Sequence, residues 1–363
     1  MFPAEYPKLK ADLAAIESNA RLICDLYAKE GVQVAGVIKF SDGSPEIAKA
    51  YLEGGCTQLA SSRIVNLAQL GPLFPGVSKL LLRIPQPCEA EAAATYADIS
   101  LNSEFAVLQA LDAAAEKAGK IHRVILMMDV GDRREGILTA EELAAMALRT
   151  ERELKHIRVC GVGTNYGCVS GVLPDEENLN ALCRAAEAVE EALGRPLEFV
   201  SGGGSSSLIR TMHGLRFPEK INHIRVGGTI ANPNNIMMNR GIHIPGANID
   251  TFRLQTQVCE CKEKPGVSGT GKNWKGETVR FEGGGIRRRA IVAAGSQDIG
   301  DPFNLLPVDP DIHVIAGSSD HTVLDVTDCK SPVNVGDILE FRLRYGGLLQ
   351  IFSTKHVSIE YGR

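Results

Sequence analysis

Lys39 ends the apolar run Val34-Ala35-Gly36-Val37-Ile38, which reads as a short buried strand. An ammonium held at a strand's mouth is poised to lose its proton and attack a carbonyl, the chemistry of a Schiff-base lysine. A surface lysine that lays its stem along apolar neighbours has the same local signature, so Lys39 alone does not decide the matter. Two other stretches bear on it. Ser201-Gly202-Gly203-Gly204-Ser205-Ser206-Ser207 combines unblocked N–H groups with hydroxyls where a helix begins, a combination suited to an anion. Arg225-Val226-Gly227-Gly228 places a permanent cation just before a second small-residue turn.

These residues need elements to position them. From about residue 11 to 245 the chain repeats a short apolar strand followed by an alanine-rich amphipathic helix. The strands are expected to end near Lys39, Ala60, Arg83, Leu101, Asp129, Thr164, Ser201 and Arg225. Helices are predicted over Pro45–Glu53, Ser103–Ala118, Ala140–Arg152 and Pro174–Leu193, where apolar residues recur at three and four. Eight such units match a (β/α)8 TIM barrel, which collects its reactive groups at the C-terminal strand ends. A doubly wound open sheet is the competing architecture, and no Gly-rich fingerprint follows the first strand to favour it. After residue 246 short β-rich segments separated by Gly, Pro and Asp predict a C-terminal all-β domain, with strands at Phe252–Glu260, Arg288–Ala294, His313–Ala316, Thr322–Val326, Ile338–Arg344 and Ile351–Val357. The expected domains are therefore 1–245 and 246–363, with Gly266–Gly285 as a long surface hairpin or lid.

Composition narrows the partners. At 363 residues, 44% apolar and 23% charged, with a formal charge of −5 and no long basic block, the chain favours neither nucleic acid nor an anionic membrane. It has no apolar stretch long enough to span a bilayer, and Glu5 and Asp12 stand where a signal peptide is apolar, so a cytosolic protein is expected. The nine cysteines show no framework spacing and read as reduced thiols. Cys259 and Cys261 lack a second pair and fit an alternating strand, so no metal site is expected there.

In a barrel, phosphate is often held by the loops after strands seven and eight, the places occupied here by the Ser-Gly-rich turn and the Arg-x-Gly turn. With a strand-end lysine, they describe a pyridoxal 5′-phosphate pocket. The sequence resembles a known family at this point, the barrel-fold (fold type III) pyridoxal-phosphate enzymes of the alanine racemase superfamily, and most closely the ornithine racemase branch. The resemblance runs over nearly the whole chain. It is carried by Ala60-Ser61-Ser62-Arg63-Ile64, Leu81-Leu82-Arg83-Ile84-Pro85, Ile99-Ser100-Leu101-Asn102-Ser103-Glu104, Asp129-Val130-Gly131-Asp132-Arg133-Arg134-Glu135-Gly136, Gly161-Val162-Gly163-Thr164-Asn165, Gly317-Ser318-Ser319-Asp320-His321 and Tyr345-Gly346-Gly347-Leu348-Leu349.

The resemblance implies roles. Lys39 carries the cofactor and is the base for one face of the substrate α-carbon. Arg134 contacts the cofactor's phenolic oxygen, with Arg133 one register away, and Asn165 takes the place of a histidine that faces the ring in alanine racemases. Arg225 faces the pyridine nitrogen and, as a guanidinium, leaves it unprotonated. Ser205, Gly227, Gly228 and Tyr345 contact phosphate, the alternative for Tyr345 being a buried structural tyrosine. Ser319 contacts substrate. A homodimer follows, each pocket being completed by the partner's β domain. The tyrosine that alanine racemases use as second base is missing from Phe281-Glu282-Gly283-Gly284-Gly285-Ile286-Arg287, which leaves His321 with Asp320 for the opposite face, and Cys168 after them. The expected activity is racemisation of a longer-chain or basic amino acid such as ornithine. The rivals are a metal-assisted lyase of the D-threonine aldolase or D-serine dehydratase type and a non-catalytic cofactor-binding protein.

Overall fold

The computed structural model describes residues 5–266, 269–272, 276–281 and 284–363. After strand β1 (Lys8–Asp12), eight parallel strands close into a barrel: β2 (Gln33–Val37), β3 (Gln58–Ser61), β4 (Ser78–Leu81), β5 (Ile99–Asn102), β6 (His122–Met127), β7 (Ile157–Gly163), β8 (Phe199–Gly204) and β9 (His223–Val226). β9 pairs back onto β2, with Gln33 opposite His223 and Gly36 opposite Val226, so the sheet has no edge. The strands are short and apolar because both their faces are covered, and Ala35, Ala60, Leu80, Ile99, Ile125 and Phe199 share one buried cluster.

The intervening helices start where the sequence offers a cap. Ser44 accepts from the Ile47 N–H and precedes Pro45, opening the helix Pro45–Glu53. Thr139 caps Ala140–Glu153, and Asp175 exchanges hydrogen bonds with Asn178 at the head of Glu176–Leu193. The barrel expectation is met, and its helices lie within a few residues of the predicted spans.

The chain divides into two compact units. One is the barrel, Ile16–Asn248, and the other joins β1 to Ile249–Arg363. β1 lies antiparallel to β10 (Phe252–Pro265) and parallel to the last strand of the chain, so the N-terminal strand is a member of the β unit's sheet. Beyond β10 come β11 (Gly269–Lys272), β12 (Thr278–Phe281), β13 (Ile286–Val292), β14 (Leu305–Pro307), β15 (His313–Gly317), β16 (Thr322–Asp325), β17 (Ile338–Leu343) and β18 (Ser358–Gly362). Their sheet runs β14-β17-β10-β13-β16-β15, which meets the expectation of an all-β second domain. In the stretch expected as a surface hairpin or lid, β11 and β12 pair as an antiparallel hairpin, while residues 267–268, 273–275 and 282–283 lie outside the described residues.

One predicted strand is a helix. Ile351–Val357 was expected to be extended, but Tyr345–Ser353 is helical and β18 begins only at Ser358. The apolar residues explain this, since Leu348, Ile351 and Phe352 recur at three and four and all are buried.

Candidate active site

The residues of interest in the barrel unit sit where the parallel strands end. Lys39 follows β2 and opens a tight turn, in which the buried Ser41 hydroxyl donates to the Ile38 carbonyl at 3.0 Å. Gly43 finishes the turn at φ 77, and a Cβ there would stand 2.8 Å from the Cβ of Asn66. Although Lys39 reaches solvent, the protein crowding its ammonium lowers its pKa below the usual lysine value; the Cys168 thiol opposes this and the Arg134 and Arg225 charges add to it. Among the described residues its ammonium has no hydrogen-bond or ion-pair partner.

After β6 the loop turns sharply. Asp129 Oδ1 accepts from the N–H groups of Gly131 at 2.8 Å and Arg133 at 3.0 Å, and Arg133 takes the left-handed φ of 55. Arg134 is the arginine whose charge reaches Lys39 and Arg225. Its guanidinium pairs with Glu135, whose carboxylate also accepts from Asn165 Nδ2 at 2.6 Å after β7. Asp132, only 2% exposed, accepts the N–H groups of Cys168 at 3.0 Å and Val169 at 3.1 Å and so fixes the loop that carries Cys168.

At the end of β8, Gly203 has φ 99, and a Cβ on it would lie 2.6 Å from both Ser207 Oγ and the Tyr166 ring. Ser206 donates to the Tyr166 carbonyl at 3.0 Å and Ser207 to the Gly202 carbonyl at 2.9 Å. The Ser205 hydroxyl, by contrast, makes no hydrogen bond with a described residue. Arg225 at β9 donates to the Thr164 carbonyl, and burial, with Arg134 adding and Glu135 opposing, brings its guanidinium down to about 10. Gly227 packs so tightly on β2 that a Cβ would meet the Val37 carbonyl at 2.7 Å, and the buried Tyr51 hydroxyl donates to the Gly227 carbonyl at 2.8 Å. Gly228 begins the short helix Gly228–Ala231.

Lys39, Arg134, Asn165, Ser205, Arg225, Gly227 and Gly228 are thus gathered at strand ends of one barrel, and the sequence reading had missed Glu135, Asp132, Tyr166 and Tyr51. Glu135 and Asp132 lay inside a quoted motif, and only their partners, about 30 residues or more away, distinguish them. Among the described residues, the buried Arg225 Nε and Tyr166 Oη have no hydrogen-bond partner. With the open Ser205 hydroxyl, the side-chain-free approach at Gly227 and three basic groups, they fit an anionic, ring-bearing cofactor such as pyridoxal phosphate.

Ser319, Asp320, His321 and Tyr345 belong to the β unit. The loop between β15 and β16 is exposed yet tied down: Ser296 and Gln297 donate their N–H groups to the carbonyls of Ser318 at 2.9 Å and Ser319 at 3.0 Å, and Gln297 Nε2 donates to Asp320 Oδ1 at 3.0 Å. Ser319 donates to Asp320 at 2.5 Å, and Ser318 N–H closes the turn onto the His321 carbonyl at 2.8 Å. The His321 imidazole has no hydrogen bond to a described residue. Burial pushes the Tyr345 phenol up to about 12. Of the stretch from which a base tyrosine is missing, Glu282 and Gly283 lie outside the described residues. Among the described residues no group of three or more His, Cys, Asp or Glu side chains could hold a metal ion, and no helix is long and apolar enough to cross a membrane.

Comparison with known proteins identifies the family. The chain is 38% identical to an ornithine racemase of Acetoanaerobium sticklandii over 98% of its own length and 99% of the relative's. It is 35% identical to a lysine racemase of Thermotoga maritima over 98% of each. In fold it resembles the alanine racemase of Streptomyces lavendulae, with a TM-score of 0.74, 19% identity and 98% and 97% of the two chains covered. It also resembles a D-threonine aldolase from Filomicrobium marinum, with a TM-score of 0.71, 18% identity and 96% and 88% covered. Residues 11–232 match the alanine racemase N-terminal domain, and the chain belongs to the alanine racemase family, the barrel-fold pyridoxal-phosphate amino-acid racemases.

Proposed function

We propose that this protein interconverts the L and D forms of a basic amino acid, ornithine or lysine, as a cytoplasmic homodimer. The observation that carries the chemistry is Lys39, an ammonium of lowered pKa at the barrel mouth, unpaired among the described residues and in the field of two arginines. The substrate class is supported by two relatives matched end to end, both named for racemising diamino acids.

In this reading the Ser205 hydroxyl and the N–H groups of Gly227 and Gly228 hold the cofactor phosphate. Arg225 faces the pyridine nitrogen, Arg134 the phenolic oxygen and Asn165 the ring. The bound cofactor withdraws electrons from the bonds at the substrate α-carbon. Lys39, with its proton held less tightly than in an ordinary lysine, exchanges a proton on one face of that carbon. His321 of the partner subunit, beside Asp320 on its hydrogen-bonded loop, exchanges one on the other, and Ser319 next to it contacts substrate. The loop's exposure and rigidity suit a group presented to a second copy of the chain.

Chirally resolved analysis of a panel of L-amino acids that includes ornithine, with and without a chelator, tests the proposal. Racemisation of ornithine or lysine unaffected by the chelator supports it. Chelator-sensitive cleavage of hydroxy amino acids without inversion would favour the lyase instead.

A further inference from the structure

Glu135 is a half-buried carboxylate that ties two loops together at the barrel mouth. It accepts from Asn165 Nδ2 at 2.6 Å and from Arg134 Nη2 at 2.5 Å, so it joins the loop after β6 to the end of β7. An ionised carboxylate has no proton to donate, so the Asn165 amide must offer it the NH2 group, and the amide oxygen is turned the other way. The Glu135 charge also acts on Arg225 and opposes the Arg134 charge there. Of the nearby carboxylates, Asp129 accepts from the N–H groups of Gly131 and Arg133, and Asp132 accepts on Oδ1 from those of Cys168 and Val169 while its charge also reaches Arg134. Of the three basic groups, Arg134 and Arg225 are therefore both offset by Glu135.

We propose that Glu135 is a positioning residue of the racemase, which orients Asn165 and Arg134 as one unit and offsets the repulsion between Arg134 and Arg225. This rests on the function proposed above, in which those side chains meet the cofactor. Glu135 itself touches neither cofactor nor substrate.

The test is a double-mutant cycle in the full-length protein with Glu135→Gln and Asn165→Ala, reading kcat and KM for the diamino acid and, separately, the affinity of the apoprotein for pyridoxal phosphate by equilibrium dialysis. If Glu135 acts through Asn165, Glu135→Gln lowers kcat by about tenfold or more, and the double variant is no slower than the slower single variant. Cofactor affinity holds or rises, because removing a negative charge beside two arginines favours an anion, and this also reports that the variant is folded. Glu135→Asp, which keeps the charge, recovers part of the loss. Multiplicative losses in the double variant, or a fall in cofactor affinity that matches the fall in kcat, overturn the inference and leave Glu135 as a fold contact. Lys39→Ala run in parallel separates the two readings. If it is inactive while Glu135→Gln behaves as wild type, only the role of Glu135 fails; if it still turns over, the proposed function fails and takes this inference with it.

Discussion

Ser205→Ala separates cofactor binding from folding more cleanly than any other change at the cradle. The Ser205 hydroxyl makes no hydrogen bond with a described residue, so its removal breaks nothing in the folded apoprotein and should change stability by no more than about 0.5 kcal/mol. If it donates to the cofactor phosphate, a hydrogen bond to a charged group is lost on binding, at about 1.5 to 3 kcal/mol. At 1.4 kcal/mol per factor of ten, affinity for pyridoxal phosphate falls about ten- to hundredfold. The two neighbouring serines are internal controls. Ser207 is buried and donates to the Gly202 carbonyl at 2.9 Å, so Ser207→Ala should cost about 1 kcal/mol or more of stability and shift the melting temperature down. Ser206 donates to the Tyr166 carbonyl at 3.0 Å and should resemble Ser207 in kind. The assay is titration of apoprotein with pyridoxal phosphate by equilibrium dialysis, beside a thermal melt of each apoprotein. Unchanged affinity in Ser205→Ala refutes the placement, as does a melt that falls as far in Ser205→Ala as in Ser207→Ala.

Lys39→Ala should abolish both turnover and the covalent, borohydride-reducible attachment of the cofactor, and a variant that keeps either shows that another group carries it. His321→Ala should lose racemisation by about 100-fold or more while exchange of the α-hydrogen on one enantiomer survives, a chiral deuterium-exchange assay being the check. Undiminished racemisation in that variant would make His321 a loop residue and turn attention to Cys168. Stability should also depend on the buried histidines. Burial lowers His223 from 6.5 to about 3 and His122 from 6.5 to about 4, so the unfolded chain takes up protons that the folded one refuses. Their contribution is complete above pH 6.5 and is lost as the pH falls toward 4 and then 3. A melting temperature that stays flat between pH 6.5 and 4 contradicts this.

Much of the fold was legible because it is encoded locally. Short apolar runs alternate with capped amphipathic stretches, and Ser44, Thr139 and Asp175 mark helix starts by their type alone. Tyr345–Ser353 was misread because its short apolar cluster suits either period over a few residues, and packing of Leu348, Ile351 and Phe352 decided for the helix. The N-terminal strand's place beside β10 and β18 was not legible either, since that pairing spans over 200 residues and no local pattern announces it.

The site divides along the same line. The sequence by itself determined which chemistry is available: a lysine after an apolar strand, an arginine that holds its proton, glycines where the backbone turns left-handed or packs without a Cβ, and a serine among them. Only the tertiary structure decided how those groups act. The lowered pKa of Lys39 comes from desolvation by surrounding protein, opposed by Cys168 and reinforced by the charges of Arg134 and Arg225, all on other strand ends. The role of Glu135 exists only because the barrel brings Asn165 to it across 30 positions of chain. Electrostatics and burial sum over everything near a group in space, and a linear order of residues does not carry that sum.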